Sequence, residues 1–124
     1  MSVHPILPSP AGPFAEACVV GNLVFTSGMA GCDMATGAVA GVDAASQTRK
    51  ALENLRSVLR AAGTDFAHVV KVDIMARHRK DADAINRVYA EFFRDHHPAR
   101  CWKFTSDMIA PDFLLEIEMV AEIP

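Results

Sequence analysis

No apolar run in the 124-residue chain approaches the roughly 20 residues a membrane-spanning helix needs. Positive charge is scarce: 12 Lys and Arg stand against 15 Asp and Glu, for a net charge of −3. That balance argues against nucleic acid or an anionic membrane surface as partners, since both need a clustered basic face. There are three cysteines, Cys18, Cys32 and Cys101, with no C-x-x-C spacing. An odd count without that spacing fits neither a disulfide framework nor a zinc knuckle, so free thiols in a reducing cytoplasm are expected. His96 and His97 are adjacent and point apart, while His68 and His78 are isolated, so no metal-ligand set is legible and no metal or cofactor is expected. Met1–Pro13 has no Lys or Arg and no long apolar core, unlike a secretory leader.

The composition, 51% hydrophobic and 22% charged, is that of a globular chain, and the length suits a single domain over residues 1–124. The proline-rich start is expected to be mostly extended. Ala15–Val20 and Leu23–Ser27 read as strands joined by a Gly21-Asn22 turn. A Gly-rich loop follows over 28–42, long enough to be suspected of function. Asp43 can cap a helix to Ala62, with Thr48, Leu52, Leu55, Leu59 and Ala62 on its buried stripe, Arg49, Glu53, Arg56 and Arg60 on its wet side, and Gly63 as its left-handed stop. Val69–Ala76 alternates as a strand, with Val70, Val72, Ile74 and Ala76 on one face and Val69, Lys71, Asp73 and Met75 on the other. A second helix is expected from about Asp81 to about Asp95, before Pro98. Strands follow near Arg100–Thr105 and Phe113–Glu122.

The order β-β-α-β-α-β-β predicts an α+β domain: one mixed sheet with both helices on one face. The opposite face carries Lys71, Asp73, Met75, Glu116 and Glu118. It is too apolar to stay fully wet and too charged for a monomer's core, so partner subunits are expected to cover it.

Arg100 opens a strand after Pro98-Ala99, where its planar fork can grip a carboxylate through two hydrogen bonds; a surface or interface ion pair is the competing explanation. Glu116 and Glu118 share a strand face with Leu114 and Val120. A partly desolvated carboxylate there can position water or a proton, whereas an ion pair between subunits explains Glu118 equally well. Gly28 lets a ligand approach the backbone and Ser27 offers a hydroxyl, although a structural turn also accounts for both. Asn86 and Tyr89, one turn apart, can face a pocket, with Tyr89 otherwise a core aromatic. Cys101 reads better as a small buried thiol than as a nucleophile. Taken alone, these residues describe an oligomeric domain with a candidate carboxylate-binding site and no defined reaction.

Gly12-Pro13-Phe14, Gly21–Gly28, Gln47-Thr48-Arg49, Leu52–Leu55, Ala61-Ala62-Gly63, Val69-Val70-Lys71, Asn86–Phe93, Pro98-Ala99-Arg100 and Glu116-Ile117-Glu118 occur in the order and spacing of the RidA (YjgF) family. Over nearly its whole length the chain resembles that family. The resemblance implies a chorismate-mutase-like fold and a homotrimer with an inner β-barrel and sites at the subunit clefts. It also implies hydrolysis of reactive 2-enamines and 2-imines to 2-keto acids and ammonia. By position, Arg100 would bind the substrate carboxylate and Glu116 would orient water. Phe14, Ser27, Gly28, Asn86, Tyr89 and the backbone around Cys101 would line the pocket. The alternative is a non-catalytic trimer that binds 2-keto acids; a ribonuclease role comes third, against the acidic charge balance. Three departures stand out: Phe14 where many members carry Tyr, Met29 where Gln is common, and Cys101-Trp102-Lys103 in place of a Ser- or Thr-led run. They bear on the substrate more than on the fold.

Overall fold

A computed structural model describes residues 2–124. Seven strands, β1 (Val3–Pro8), β2 (Ala15–Val20), β3 (Leu23–Thr26), β4 (Met29–Ala30), β5 (Val69–Ala76), β6 (Ala99–Phe104) and β7 (Leu115–Glu122), join two helices, α1 (Ala44–Ala61) and α2 (Ala82–Phe92). The strands make one mixed sheet in the order β1-β2-β3-β7-β5-β6, with β4 also paired to β7. Only the β5–β6 pair is parallel, as the α2 crossover between those strands allows. The α+β architecture is the one expected.

Local chemistry sets the element ends. The Asp43 carboxylate accepts the Ser46 N–H at 2.9 Å and caps α1. Gly63, at φ +92°, stops it in the left-handed region where glycine pays no Cβ cost. The fully buried Leu52, Leu55 and Leu59 of α1 meet Ile85 of α2 and Ile74, Leu115 and Ile117 of the sheet in one core. Burying each such side chain contributes about 1.5–3 kcal/mol.

Five expectations need correction or completion. The proline-rich N-terminus is more than extended: β1 is an edge strand on β2, where Pro5 and Pro8 cost least. The loop after Gly28 holds the short strand β4, and Gly31 behind it is obligatory, because a Cβ there would lie 2.2 Å from the Gln47 carbonyl oxygen of α1. Helix α2 ends at Phe92, three residues before Asp95. The β5–β7 register shifts between Val69 and Lys71. Val69 therefore enters the core with Val72, Ile74 and Ala76, while Val70 is 49% exposed. Arg56 is also less wet than its helix face implied, packing over the Phe66 and Phe92 rings at 5.2 and 5.0 Å.

Candidate active site

The strand ladder decides which sequence candidates meet. Residues paired across a sheet project to the same side. Arg100 pairs with Val72, which pairs with the core residue Met119, so Arg100 projects to the helix side of the sheet. Its guanidinium carbon lies 4.7 Å from the Tyr89 ring centroid and 5.3 Å from that of Trp102. Two rings thus fix the direction of the fork without consuming its hydrogen bonds. Among the described residues Arg100 forms no ion pair. Arg100, Asn86, Tyr89, Phe93, His97, Pro98 and Trp102 line an open recess of about 570 Å³. The Asn86 Oδ1 atom and the Tyr89 hydroxyl are buried there without a well-formed hydrogen bond. Burial pushes the Tyr89 hydroxyl pKa up, and the nearby Arg100 charge opposes the shift.

Glu116 pairs with Met75 and alternates with the buried Leu115 and Ile117, so it projects to the opposite, open face. It borders a second recess of about 550 Å³ that Phe14, Ser27 and Gly28 also line. A Cβ on Gly28 would stand 3.4 Å from Glu116 Oε2, so glycine keeps the approach to that carboxylate clear. Ser27 holds this corner, its hydroxyl donating to the Ala15 carbonyl at 2.7 Å. Burial, and then the like charge of Glu118, raises the Glu116 pKa.

The candidates therefore divide in two. Phe14, Ser27, Gly28 and Glu116 gather on the open face, while Asn86, Tyr89 and Arg100 gather on the helix side. Cys101 joins neither recess. It is half-buried rather than buried as expected, because it lies on the edge strand β6, where it pairs with Asp73 and points its thiol toward the Trp102 carbonyl at 3.7 Å.

The open-face recess also holds groups that sequence reasoning passed over: Glu16, Cys32, Asn54, Ile109 and Phe113. Glu16 was within reach as an acid inside the apolar strand Ala15–Val20. The 105–114 segment has no periodic signal, and two polar side chains shape it. The Arg77 guanidinium donates to the carbonyls of Phe113 and Ala110, each at 3.0 Å, and to that of Ser106. The buried Gln47 donates to the Gly41 and Asp112 carbonyls at 2.9 and 3.0 Å and accepts the Leu114 N–H at 2.9 Å.

Fold and recesses together define a small mixed-sheet α+β domain with a carboxylate-bearing hollow on one face and a cation-bearing hollow on the other. The chain belongs to the family described as Endoribonuclease L-PSP, the RidA or YjgF family, whose model matches residues 6–123. It is 38% identical to a RutC family protein of Pyrococcus horikoshii, over 92% of this chain and 90% of that one. It is 37% identical to the 3-aminoacrylate deaminase RutC of Acinetobacter baylyi, over 94% and 91%. It is 31% identical to the human 2-iminobutanoate/2-iminopropanoate deaminase, over 92% and 82%. Among solved structures, a protein of the conserved Rid family from Yersinia pestis superposes with a TM-score of 0.91 at 29% identity, covering 98% of this chain and all of that one.

Proposed function

We propose that this protein hydrolyses 2-imino and 2-enamino acids to 2-keto acids and ammonia, in a homotrimer whose sheets form an inner barrel. Arg100 of one subunit binds the substrate carboxylate, and Glu116 of the neighbouring subunit orients the attacking water. Asn86 and Tyr89 flank the carboxylate, the backbone at Cys101 borders it, and Phe14, Ser27 and Gly28 shape the pocket around the reacting carbon. The observation that carries this reading is the division of the candidates between two faces of one sheet. A carboxylate clamp and a water-orienting carboxylate on opposite sides of a subunit can serve one small substrate only if two copies face each other. The half-apolar open face, with Phe25 43% exposed and paired with Val120, supports burial against such a copy. Two relatives whose names state deamination of imino and enamino acids, at 31% and 37% identity, support the reaction class.

The chemistry asks little of the protein. Water oxygen bonds to the electrophilic C2 and the C=N electron pair moves to nitrogen. One water proton passes through Glu116 to that nitrogen. The C–N bond then breaks as the carbinol oxygen forms C=O and gives its remaining proton to the departing nitrogen, so that a protonated imine and water yield keto acid and ammonium. Positioning and general-base assistance supply the acceleration, with no metal or cofactor required. The family's ribonuclease description fits this chain poorly, since a phosphodiester backbone would meet an acidic protein and an acidic recess.

The test is semicarbazide competition. Imines are generated from serine, threonine, leucine, methionine and aromatic amino acids, and the protein should divert them from trapping to keto acid. A trimer that binds 2-oxobutyrate yet clears no imine faster than buffer would be a keto-acid-binding protein instead.

A further inference from the structure

Glu16 is an acid in an unusual place. It is only 6% exposed, yet it lies in β2 on the side of the sheet that also bears Ser27, Gly28 and Glu116, and it lines their recess. Its backbone carbonyl accepts the Ser27 N–H at 2.8 Å. Its carboxylate has no ion-pair partner and no hydrogen-bond donor among the described residues. None of the residues lining the recess is Lys or Arg, and the three acids there are Glu16, Asp33 and Glu116. Asp33 is already engaged, accepting the Ala35 and Thr36 N–H groups at 2.9 and 3.0 Å. The field of these acids reaches Cys32, whose thiol pKa is raised by burial first and then by Asp33, opposed by the Lys50 ammonium, with smaller upward contributions from Glu116 and Glu16.

A carboxylate drawn out of bulk water is most stable where a cation or several donors meet it, and the Glu16 oxygens open onto the recess rather than being sealed in the core. Glu16 has neither within the chain, and the recess it enters is where the reacting carbon of the substrate would sit. We infer that Glu16 is the binding group for the positively charged nitrogen of the substrate, so that the site recognises a zwitterion by its two ends. This rests on the imine chemistry proposed above. A protonated imine carries a carboxylate and an N–H-bearing cation on adjacent carbons. Arg100 takes the first and Glu16 the second, leaving Glu116 free for water. The pairing also favours the protonated, more electrophilic form of the imine. After hydrolysis the keto acid has lost the charge that Glu16 holds, so product is retained less firmly than substrate.

The experiment compares two ligands of matched size that differ at this one position. L-2-aminobutyrate carries an ammonium group and 2-oxobutyrate a neutral carbonyl. Calorimetric titration of the intact assembly should show Glu16→Gln weakening L-2-aminobutyrate by about tenfold or more while leaving 2-oxobutyrate within about twofold, because charge-assisted hydrogen bonds outweigh neutral ones by that order. Equal loss for both ligands, no change for either, failure of the unaltered protein to bind the amino acid, or a smaller assembly mass in the variant would each overturn the assignment. If Glu16→Gln does not fold, Glu16→Asp replaces it. That variant keeps the charge one carbon short and should weaken the amino acid selectively; a parallel change in both ligands sinks the idea. Imine clearance by the unaltered protein is measured alongside. Clearance without ligand-selective loss removes only the role of Glu16, whereas selective loss without clearance removes only the deaminase reading.

Discussion

Arg100 and Glu116 project from opposite faces of the same sheet, two strands apart, with β5 between them. Neither can reach a small molecule held by the other within one chain. Every functional expectation for the pair therefore depends on how copies meet, and assembly and chemistry should fail together.

That coupling is the first prediction. Phe25→Glu places a charge beside Val120 on the open face. Light scattering should show the proposed trimer replaced by smaller species, with imine clearance lost in proportion. A monomer that kept full activity would refute a site shared between subunits.

Arg100 should be more than a positive charge. Removing it in Arg100→Ala should weaken 2-oxobutyrate binding by about 1.5–3 kcal/mol, the range for hydrogen bonds to charged groups. Arg100→Lys should recover only part of this, because an ammonium neither forks nor stacks between Tyr89 and Trp102 as the guanidinium does. Full recovery by Lys, measured calorimetrically, would reduce Arg100 to a point charge.

The Glu116 carboxyl has its pKa raised by burial and by Glu118. If its carboxylate orients water, kcat should rise with pH through a value above the ordinary carboxylate range, and Glu116→Gln should remove that limb with most of the rate. Stability runs the other way. Between the unfolded and the raised folded pKa the native state binds more protons, so its stability falls as pH rises. Glu116→Gln should therefore raise the melting temperature at neutral pH, with the gain fading as pH drops below the unfolded carboxylate pKa. A melting temperature lowered by the substitution at neutral pH would contradict this account.

Gln47 is 1% exposed and makes three hydrogen bonds that join the 31–42 loop and the 105–114 segment to α1. Each contributes about 1 kcal/mol net, so Gln47→Ala should cost on the order of 3 kcal/mol in urea unfolding. The same variant should lower imine turnover, since both segments it ties carry residues of the open-face recess.

Much of this is legible in the sequence. Periodicity placed both helices and the long strands, because amphipathic stripes and alternation are local. Asp43 and Gly63 marked the ends of α1 for the same reason. What escaped depended on contacts far apart in sequence. The shift that puts Val69 inside and Val70 outside exists only in the pairing of β5 with β7. The two-residue β4 carries no pattern of its own and is fixed by packing against α1. Side-chain chemistry and strand position single out Arg100, Glu116, Ser27, Gly28, Asn86 and Tyr89, and the family resemblance adds Phe14 and the roles, but neither gives their division between two faces. The face on which Arg100 lies follows from its register against Val72, and no alternation within Ala99–Phe104 reveals that. Glu16 went unnoticed because an acid in a short strand near the surface reads as solvent-facing until β2, β3 and β7 close around it.

The hold of Arg77 on the 105–114 segment has a consequence for how this site can change over generations. The guanidinium grips carbonyls at Ser106, Ala110 and Phe113, groups that every amino acid supplies. The shape of the segment is thus insulated from its own sequence. Ile109 and Phe113 can be exchanged for other side chains without the backbone under them moving. The wall facing Glu116 is in effect a fixed frame with replaceable panels, free to drift toward new ligands while Glu116 and Gly28 opposite it stay where they are.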